Sequence, residues 1–161
     1  MTPATKLLDR AKVDYRLISY VANPAAESYG SEAIEATGAS GDKVFKTLIA
    51  TVRSNANTSM VVALVPVTAT LNLKALAAAA GAKGAAMADS AEAERVTGYV
   101  TGGISPLGQR RKLATYVDSS ARELETIYVS GGRRGLEIVL SPQDLLLVTE
   151  ATVAPIATIG N

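Results

Sequence analysis

Two apolar runs separated by a short polar stretch constrain the fold of this chain more than any other feature. The first run extends from Lys43 to Arg53, and the second from Met60 to Val67. The residues between them, Ser54-Asn55-Ala56-Asn57-Thr58, are typical of a turn. We therefore predict a β-hairpin over residues 43–67.

The rest of the chain predicts helices and strands in alternation. Thr2 can cap a first helix that Pro3 begins, and Asp89 and Glu92 have the spacing of a capping box for a helix that ends at Gly98. Further helices are predicted over residues 31–37, over residues 72–80 and after Ser141. Further strands are predicted over residues 15–21, 85–88, 113–117, 126–130, 136–140 and 151–156.

This order of elements predicts the fold class. Hairpins and helices are interspersed, whereas a purely parallel sheet would need a helix between successive strands. We therefore expect a mixed α/β (α+β) fold, in the form of a mixed β-barrel or sheet surrounded by helices. The length of 161 residues fits a single domain over residues 1–161.

Lys46 lies within the first apolar run, between Phe45 and Thr47. Lysine is rarely buried without a partner, because removing its charge from water is costly. Two interpretations are open. The side chain lies near a strand end and reaches out to solvent, or it is held in a pocket and faces an anionic or carbonyl-bearing ligand.

The chain contains no His and no Cys. It therefore cannot assemble a Ser-His-Asp or Cys-His catalytic set, and it lacks the ligands that zinc prefers. We expect no metal and no cofactor. The formal net charge is +1, so a nucleic acid would have to meet local basic clusters. No apolar run reaches membrane-spanning length and the start lacks a signal-peptide core, so we expect a cytoplasmic protein without a membrane partner.

Two glycine-rich segments are candidate ligand contacts. Residues 101–108 read Thr-Gly-Gly-Ile-Ser-Pro-Leu-Gly, and residues 130–135 read Ser-Gly-Gly-Arg-Arg-Gly. Adjacent glycines let backbone N–H groups approach a ligand, although each segment, taken alone, is more typical of a tight surface turn. The first is not a phosphate-binding P-loop, because Ile104 stands where that motif requires Lys.

Several other side chains could take part in binding. Tyr20 and Tyr29 could stack on a base or simply pack, and Glu137 could be a polar residue on an exposed strand face. The basic clusters Arg110-Arg111-Lys112 and Arg133-Arg134 could contact phosphates or be solvated surface charges.

Taken together, three blocks resemble the YbaK/EbsC family, whose members are free-standing relatives of the editing domain of bacterial prolyl-tRNA synthetases. The blocks are Val44-Phe45-Lys46-Thr47-Leu48, Gly102-Gly103-Ile104-Ser105-Pro106-Leu107-Gly108 and Ser130-Gly131-Gly132-Arg133-Arg134-Gly135-Leu136-Glu137-Ile138. They occur in the family's order, and the resemblance covers nearly the whole chain.

The resemblance implies an aminoacyl-tRNA deacylase that removes cysteine from mischarged Cys-tRNA(Pro), and possibly from Cys-tRNA(Cys). It implies Lys46 as the catalytic residue. Within the two basic clusters, Arg110, Arg111 and Arg133 are our candidates for nucleic-acid contacts. The partners would be the acceptor end of tRNA(Pro) and, in a transient complex, prolyl-tRNA synthetase. The implied substrate-binding residues are Tyr20, Tyr29, Thr47, Gly102, Gly103, Ser105, Pro106, Ser130, Gly131 and Glu137.

The implied chemistry suits a chain without His or Cys. The thiolate of the bound cysteine attacks its own ester carbonyl, the ester C–O bond breaks, and the tRNA ribose is expelled, which leaves the cysteine as a cyclic thiolactone. The protein then has to orient the substrate and stabilise negative charge, for which the N–H groups of Gly102 and Gly103 are candidates. Lys46 would face the thiolate, the carbonyl oxygen or the terminal phosphate.

The chain departs from the family pattern at two positions. Glu137 stands where an Asp is common, and Tyr29 where a Phe is common. Two alternatives to cysteine removal also remain open. One is a deacylase for another mischarged tRNA such as Ala-tRNA(Pro), and the other is a non-catalytic module that binds aminoacyl-tRNA or a nucleotide.

Overall fold

The computed structural model describes residues 1–159, which form a mixed α/β fold. The α-helices are α1 (Pro3–Ala11), α2 (Tyr29–Thr37), α3 (Leu73–Ala79), α4 (Ser90–Thr97) and α5 (Pro142–Thr149), and a 3₁₀ helix covers Ser119–Glu123. The strands are β1 (Arg16–Ser19), β2 (Phe45–Ser54), β3 (Asn57–Pro66), β4 (Ala69–Leu71), β5 (Gly84–Met87), β6 (Ala114–Asp118), β7 (Ile127–Ser130), β8 (Leu136–Leu140), β9 (Thr152–Ala154) and β10 (Ala157–Ile159).

The predicted hairpin is the centre of the largest sheet, whose strand order is β5-β2-β3-β6-β9. Strands β2 and β3 are antiparallel from the pair Phe45↔Pro66 to the pair Ser54↔Asn57. Because side chains alternate along a strand, β2 contributes to two apolar clusters. Phe45 lies in the main core, whereas Ala50 lies in a smaller core on the other face.

A second sheet, of order β1-β8-β7, lies beside the first. The two sheets are joined by a parallel bridge between Val44 and Tyr128, next to the start of β2. All five residues of β8 are buried, including Glu137. The strands of residues 1–159 form three separate sheets and no closed barrel. The mixed α/β prediction is therefore confirmed in its sheet form.

The helix starts follow the sequence signals with one exception. Thr2 caps α1, with Pro3 as its first residue, and Gly98 ends α4 in the left-handed conformation at φ +79°. The capping box predicted from Asp89 and Glu92 is wrong, because Asp89 makes no side-chain cap hydrogen bond. Glu92 instead forms a surface ion pair of 2.8 Å with Arg95, one turn further along the helix.

The last predicted strand is also corrected. Residues 151–156 are not one strand, because the chain divides into β9, which pairs with β6, and β10, which pairs with β4. The buried carboxylate of Asp118 accepts hydrogen bonds from the N–H groups of Ile156 and Ala157, at 3.0 and 2.9 Å. A contact between residues so distant in sequence leaves no local signal, so the sequence could not indicate this break.

Candidate functional site

A cleft of about 360 Å³ lies where the start of β2 meets the start of α2, the strand β8 and the loop after α4. This volume is within the range of small-molecule sites. Several of the sequence-predicted site residues line it together. They are Tyr20, Tyr29, Lys46, Thr47, Gly102, Ser130 and Glu137.

Lys46 reaches the cleft from β2, where it is opposite Val65 of β3. Its side chain is half-buried, and this burial lowers the pKa of the ammonium group. Within residues 1–159 it has no hydrogen-bond or ion-pair partner. An ammonium group without a protein partner in a cleft is placed to meet a ligand that carries negative charge or a polarised oxygen.

Glu137 lies on another wall of the cleft, on β8, opposite Ser130 of β7. It is 6% exposed, and burial raises the pKa of its carboxyl to about 8. At pH 7 this group is therefore mostly protonated, and it can donate a hydrogen bond as well as accept one. Burial, and then the charges of Glu137 and Glu32, raise the pKa of Tyr20 to about 12, so its phenol stays neutral.

The hydroxyl of Thr47 is a further unused polar group in this cleft. Its Oγ1 atom is buried and has no hydrogen-bond partner among the described residues. Buried hydroxyl groups are normally hydrogen-bonded to the protein, because they have lost their hydrogen bonds to water. Thr47 therefore brings an unsatisfied, buried hydroxyl to the wall of the cleft, next to Lys46 in the strand.

The first glycine segment packs closely on two neighbours. Gly102 has φ +95°, and a Cβ there would lie 2.9 Å from the ring of Tyr29. A Cβ on Gly103 would lie 2.5 Å from Cα of Arg133, so the two glycine segments touch through their backbones. The N–H of Gly103 donates to Val100 at 2.9 Å within a turn. The expectation that this N–H stabilises negative charge is therefore corrected, and Gly102 remains as the candidate.

In the second segment, Ser130 lines the cleft and Gly131 shapes the turn. The hydroxyl oxygen of Ser130 accepts a 3.2 Å hydrogen bond from the N–H of Gly132. The N–H of Gly131 donates to Leu136 at 2.8 Å, and a Cβ on Gly131 would lie 2.7 Å from Cγ of that residue. Gly131 is therefore required for the close turn and leaves its N–H unavailable to a ligand.

Ser105 and Pro106 are not brought into the cleft. Ser105 is fully buried, and its Oγ accepts a hydrogen bond from the N–H of Leu107 at 3.2 Å. Pro106 lines a separate, smaller cavity of about 210 Å³. The positions of both residues fit a role in shaping the loop.

The three predicted nucleic-acid contacts lie in different surroundings. Arg133 is exposed in the turn against Gly103. Arg110 donates to the carbonyl oxygen of Arg95 at 3.4 Å, and Arg111 lines the smaller cavity. Arg133 thus contacts the residue that follows Gly102, which lines the cleft.

The sequence interpretation missed an ion pair at the cleft rim. Arg134 donates to both carboxylate oxygens of Glu32, at 3.0 and 2.7 Å. Its guanidinium carbon also lies 5.0 Å from the ring centroid of Tyr29. The basic cluster at 133–134 hinted at Arg134, whereas Glu32 on α2 carried no signal, because its partner is 102 residues away.

Two further observations concern metals and membranes. Residues 1–159 contain no group of three or more His, Cys, Asp or Glu side chains that could hold a metal ion. In the same part of the chain, no helix is both long and apolar enough to cross a membrane.

Solved structures share this fold. The chain matches a "Crystal structure of hypothetical protein APE2540" with a TM-score of 0.84 and 24% identity, over 97% of this chain and 99% of the other. It matches a "Crystal structure of a putative trans-editing enzyme for prolyl tRNA synthetase" with a TM-score of 0.77 and 22% identity, over 97% and 95% of the two chains. At these identities the likeness concerns the fold.

Sequence relatives identify the family. A family model described as "Aminoacyl-tRNA editing domain" matches residues 23–147. The chain is also 36% identical over 157 residues, 98% of its length and 93% of the relative's, to "Putative Cys-tRNA(Pro)/Cys-tRNA(Cys) deacylase EbsC" of Enterococcus faecalis. The chain therefore belongs to the aminoacyl-tRNA editing domain family, which confirms the resemblance and the predicted enzyme class, an aminoacyl-tRNA deacylase.

Proposed function

We propose that this enzyme removes cysteine from mischarged Cys-tRNA(Pro), and that the thiol of the substrate is the nucleophile. One observation carries the proposal. The cleft places the ammonium of Lys46 and the mostly neutral carboxyl of Glu137 around a space of about 360 Å³, and neither group has a protein ion-pair partner within residues 1–159. The cleft thus offers a cation and an acid that can stabilise charge. The chain has neither Cys nor His, the usual sources of a nucleophile and a base.

A protein hydroxyl is a poorer candidate for the nucleophile. Two described hydroxyl-bearing residues of the cleft lie beside an acidic side chain. Ser130 is opposite Glu137, which is mostly protonated at pH 7 and then cannot accept a proton, and Thr101 lies beside the carboxylate of Glu94. Hydrogen bonds from the backbone and side chain of Thr101 lower the pKa of that carboxyl, which makes it a weaker base. Thr47 lies next to Lys46, which cannot accept a proton while it is charged.

The substrate thiol needs no such base. A free cysteine thiol has a pKa near 8.5, so a few per cent is thiolate at neutral pH. Its sulfur forms a bond to the carbonyl carbon, the ester C–O bond breaks, and the ribose oxygen leaves with the electron pair and takes up a proton. Well-oriented intramolecular attack can reach effective molarities of about 10⁵ M or more.

Each cleft residue has a role in this scheme. Lys46 stabilises the negative charge that passes from sulfur to the carbonyl oxygen, and the N–H of Gly102 supports it. Glu137, which is mostly protonated at pH 7, supplies the proton to the leaving ribose oxygen. Tyr20, Tyr29, Thr47 and Ser130 shape the space that folds the aminoacyl group into its attacking pose.

Single-turnover deacylation of Cys-, Ser- and Ala-tRNA(Pro) tests the proposal. We expect rapid loss of cysteine and much slower loss of serine and alanine, because a hydroxyl is scarcely ionised at neutral pH and alanine has no nucleophile. Equal rates for Cys-tRNA and Ala-tRNA would contradict thiol-driven cyclisation. Preferential loss of alanine would favour the alternative, an Ala-tRNA(Pro) deacylase that uses water.

The same proposal includes how the enzyme finds its substrate. We propose that residues 1–161 act as one editing domain in the cytoplasm, together with prolyl-tRNA synthetase in a transient complex. The net charge of +1 favours this arrangement, because it provides little general attraction for tRNA. Deacylation of Cys-tRNA(Pro) should become faster at limiting tRNA when the synthetase is added, and no change would argue against the complex.

A further inference from the structure

The rim of the cleft is held by an ion pair that the proposed chemistry does not use. Glu32 on α2 is 2% exposed, and Arg134 in the turn before β8 has a side chain that is 38% exposed. The Glu32 carboxylate is therefore buried, whereas the arginine that binds it is partly exposed to solvent. The hydrogen bonds of Arg134 lower the pKa of Glu32, so this pair is ionised at neutral pH.

The pair also fixes residues 21–28, which we call the rim segment. The N–H of Asn23 donates to Oε2 of Glu32 at 2.6 Å, and Arg134 donates to the carbonyl oxygen of Asn23 at 3.3 Å. The rim segment connects Tyr20 to Tyr29, and both of these tyrosines line the cleft. Glu32 and Arg134 thus hold the rim segment at Asn23, near its start, and the residues at both ends of the segment, Tyr20 and Tyr29, form walls of the site.

Tyr29 is held from two sides. The guanidinium of Arg134 lies 5.0 Å from its ring centroid, a distance typical of a cation–π contact. The ring also contacts Gly102, where a Cβ would lie 2.9 Å away and would force it to move. Since Tyr29 is 48% exposed, it depends on these contacts more than a core side chain would.

We infer that Arg134 and Glu32 are positioning residues for deacylation, which set the place of Tyr29 and the rim segment and so the fit of the cleft around the aminoacyl group. This inference rests on the proposed use of the cleft for the aminoacyl end of tRNA. Both Arg133 and Arg134 are exposed, but Arg133 has no carboxylate partner within residues 1–159. A displacement of about 1 Å at a reacting group can cost about 100-fold in rate.

The test compares Arg134→Met with Arg95→Met in single-turnover deacylation of Cys- and Ala-tRNA(Pro). Arg95 is the matched control, because it forms an exposed ion pair of similar length, 2.8 Å, with Glu92, and neither of these two residues lines the cleft. We expect Arg134→Met to lower kcat for Cys-tRNA about 10- to 100-fold with a smaller change in KM, and to narrow the preference for cysteine over alanine. Arg95→Met should retain both parameters.

Two further variants keep the result interpretable. Removal of Arg134 alone leaves the buried Glu32 carboxylate without its partner, which can unfold a protein. The double variant Glu32→Gln/Arg134→Met removes both charges and should fold, with the same loss in kcat and in selectivity. Arg133→Met should instead raise KM and weaken its dependence on salt, as expected for a phosphate contact.

The outcomes separate this inference from the proposed function. If the wild type is active but Arg134→Met and the double variant lower only the melting temperature, or raise only KM as Arg133→Met does, the positioning role is wrong. If the wild type prefers Ala-tRNA, the cysteine proposal fails, and the same loss of kcat measured on Ala-tRNA would still support positioning. Inactivity of the wild type on every ester would overturn both.

Discussion

Glu32 and Glu137 are both nearly covered by protein, at 2% and 6% exposure, yet the pKa values of their carboxyls shift in opposite directions. Arg134 lowers the pKa of Glu32 through hydrogen bonds, whereas burial without a partner raises that of Glu137 to about 8. The paired carboxylate holds the rim, and the unpaired carboxyl faces the cleft. In this protein a missing partner, more than burial alone, distinguishes a group available for chemistry.

Lys46 completes the comparison, because it is a cation that lines the same cleft as Glu137 and forms no ion pair with it. Burial lowers the pKa of Lys46, and no charge of Glu137 contributes to that shift. The cleft therefore contains a cation and a mostly neutral acid that form no ion pair with each other.

The largest expected effect comes from removing the unpaired cation. Lys46→Ala should lower the deacylation rate about 10²- to 10³-fold, which is typical of losing one group that stabilises a developing negative charge. The melting temperature should change little, because Lys46 makes no hydrogen bond or ion pair within residues 1–159. Lys43→Ala, an exposed lysine just before β2, is the control, and equal losses in both variants would show that the charge of Lys46 has no special role.

Removing the unpaired acid should change how stability depends on pH. Because the pKa of Glu137 is raised from 4.5 to about 8, its stabilising contribution is full below pH 4.5 and is lost as the pH rises through 8. Glu137→Gln keeps a neutral side chain, so at pH 8 it should exceed the wild type by up to a few kcal/mol in free energy of unfolding, with less difference at pH 5. Denaturant unfolding of both proteins at pH 5 and pH 8 measures this difference. The same difference in free energy of unfolding at the two pH values would contradict an unpaired Glu137.

The paired carboxylate should show the opposite dependence. The lowered pKa of Glu32 means that its contribution is present above pH 4.5 and is lost as the pH falls through the lower folded value. Glu32→Gln should therefore be less stable than the wild type at pH 7, and the difference should shrink in acid. A difference that grows in acid would contradict the ion pair.

A smaller effect on stability and activity is expected from a substitution at Gly102, in the first glycine-rich segment. Gly102→Ala combines a left-handed φ of +95° with a close contact to Tyr29, whereas Gly38→Ala has φ +71° and no atom within 4 Å. Both should lose about 1 to 2 kcal/mol of stability from the backbone. Only Gly102→Ala should also slow deacylation, and equal activity of the two variants would show that the position of Tyr29 is unimportant.

The parts of this structure that the sequence predicted are those with local signals. The β2–β3 hairpin, the cap of α1 and the end of α4 at Gly98 follow from residues within a few positions of one another. The resemblance brought Lys46, Gly102 and Ser130 into one proposed site, and the structure does place them around one cleft. Contacts between distant residues, such as Glu32 with Arg134 and Asp118 with the start of β10, have no local pattern and required the structure.

The identity of the first product tests the central claim most directly, namely that the substrate supplies the nucleophile. Rapid quenching of the reaction with Cys-tRNA(Pro), followed by mass spectrometry, should show cysteine thiolactone appearing as the tRNA is released. Free cysteine should follow only as the thiolactone hydrolyses. Free cysteine that appears at the rate of tRNA release, without the thiolactone, would mean that water attacks the ester and would contradict the account.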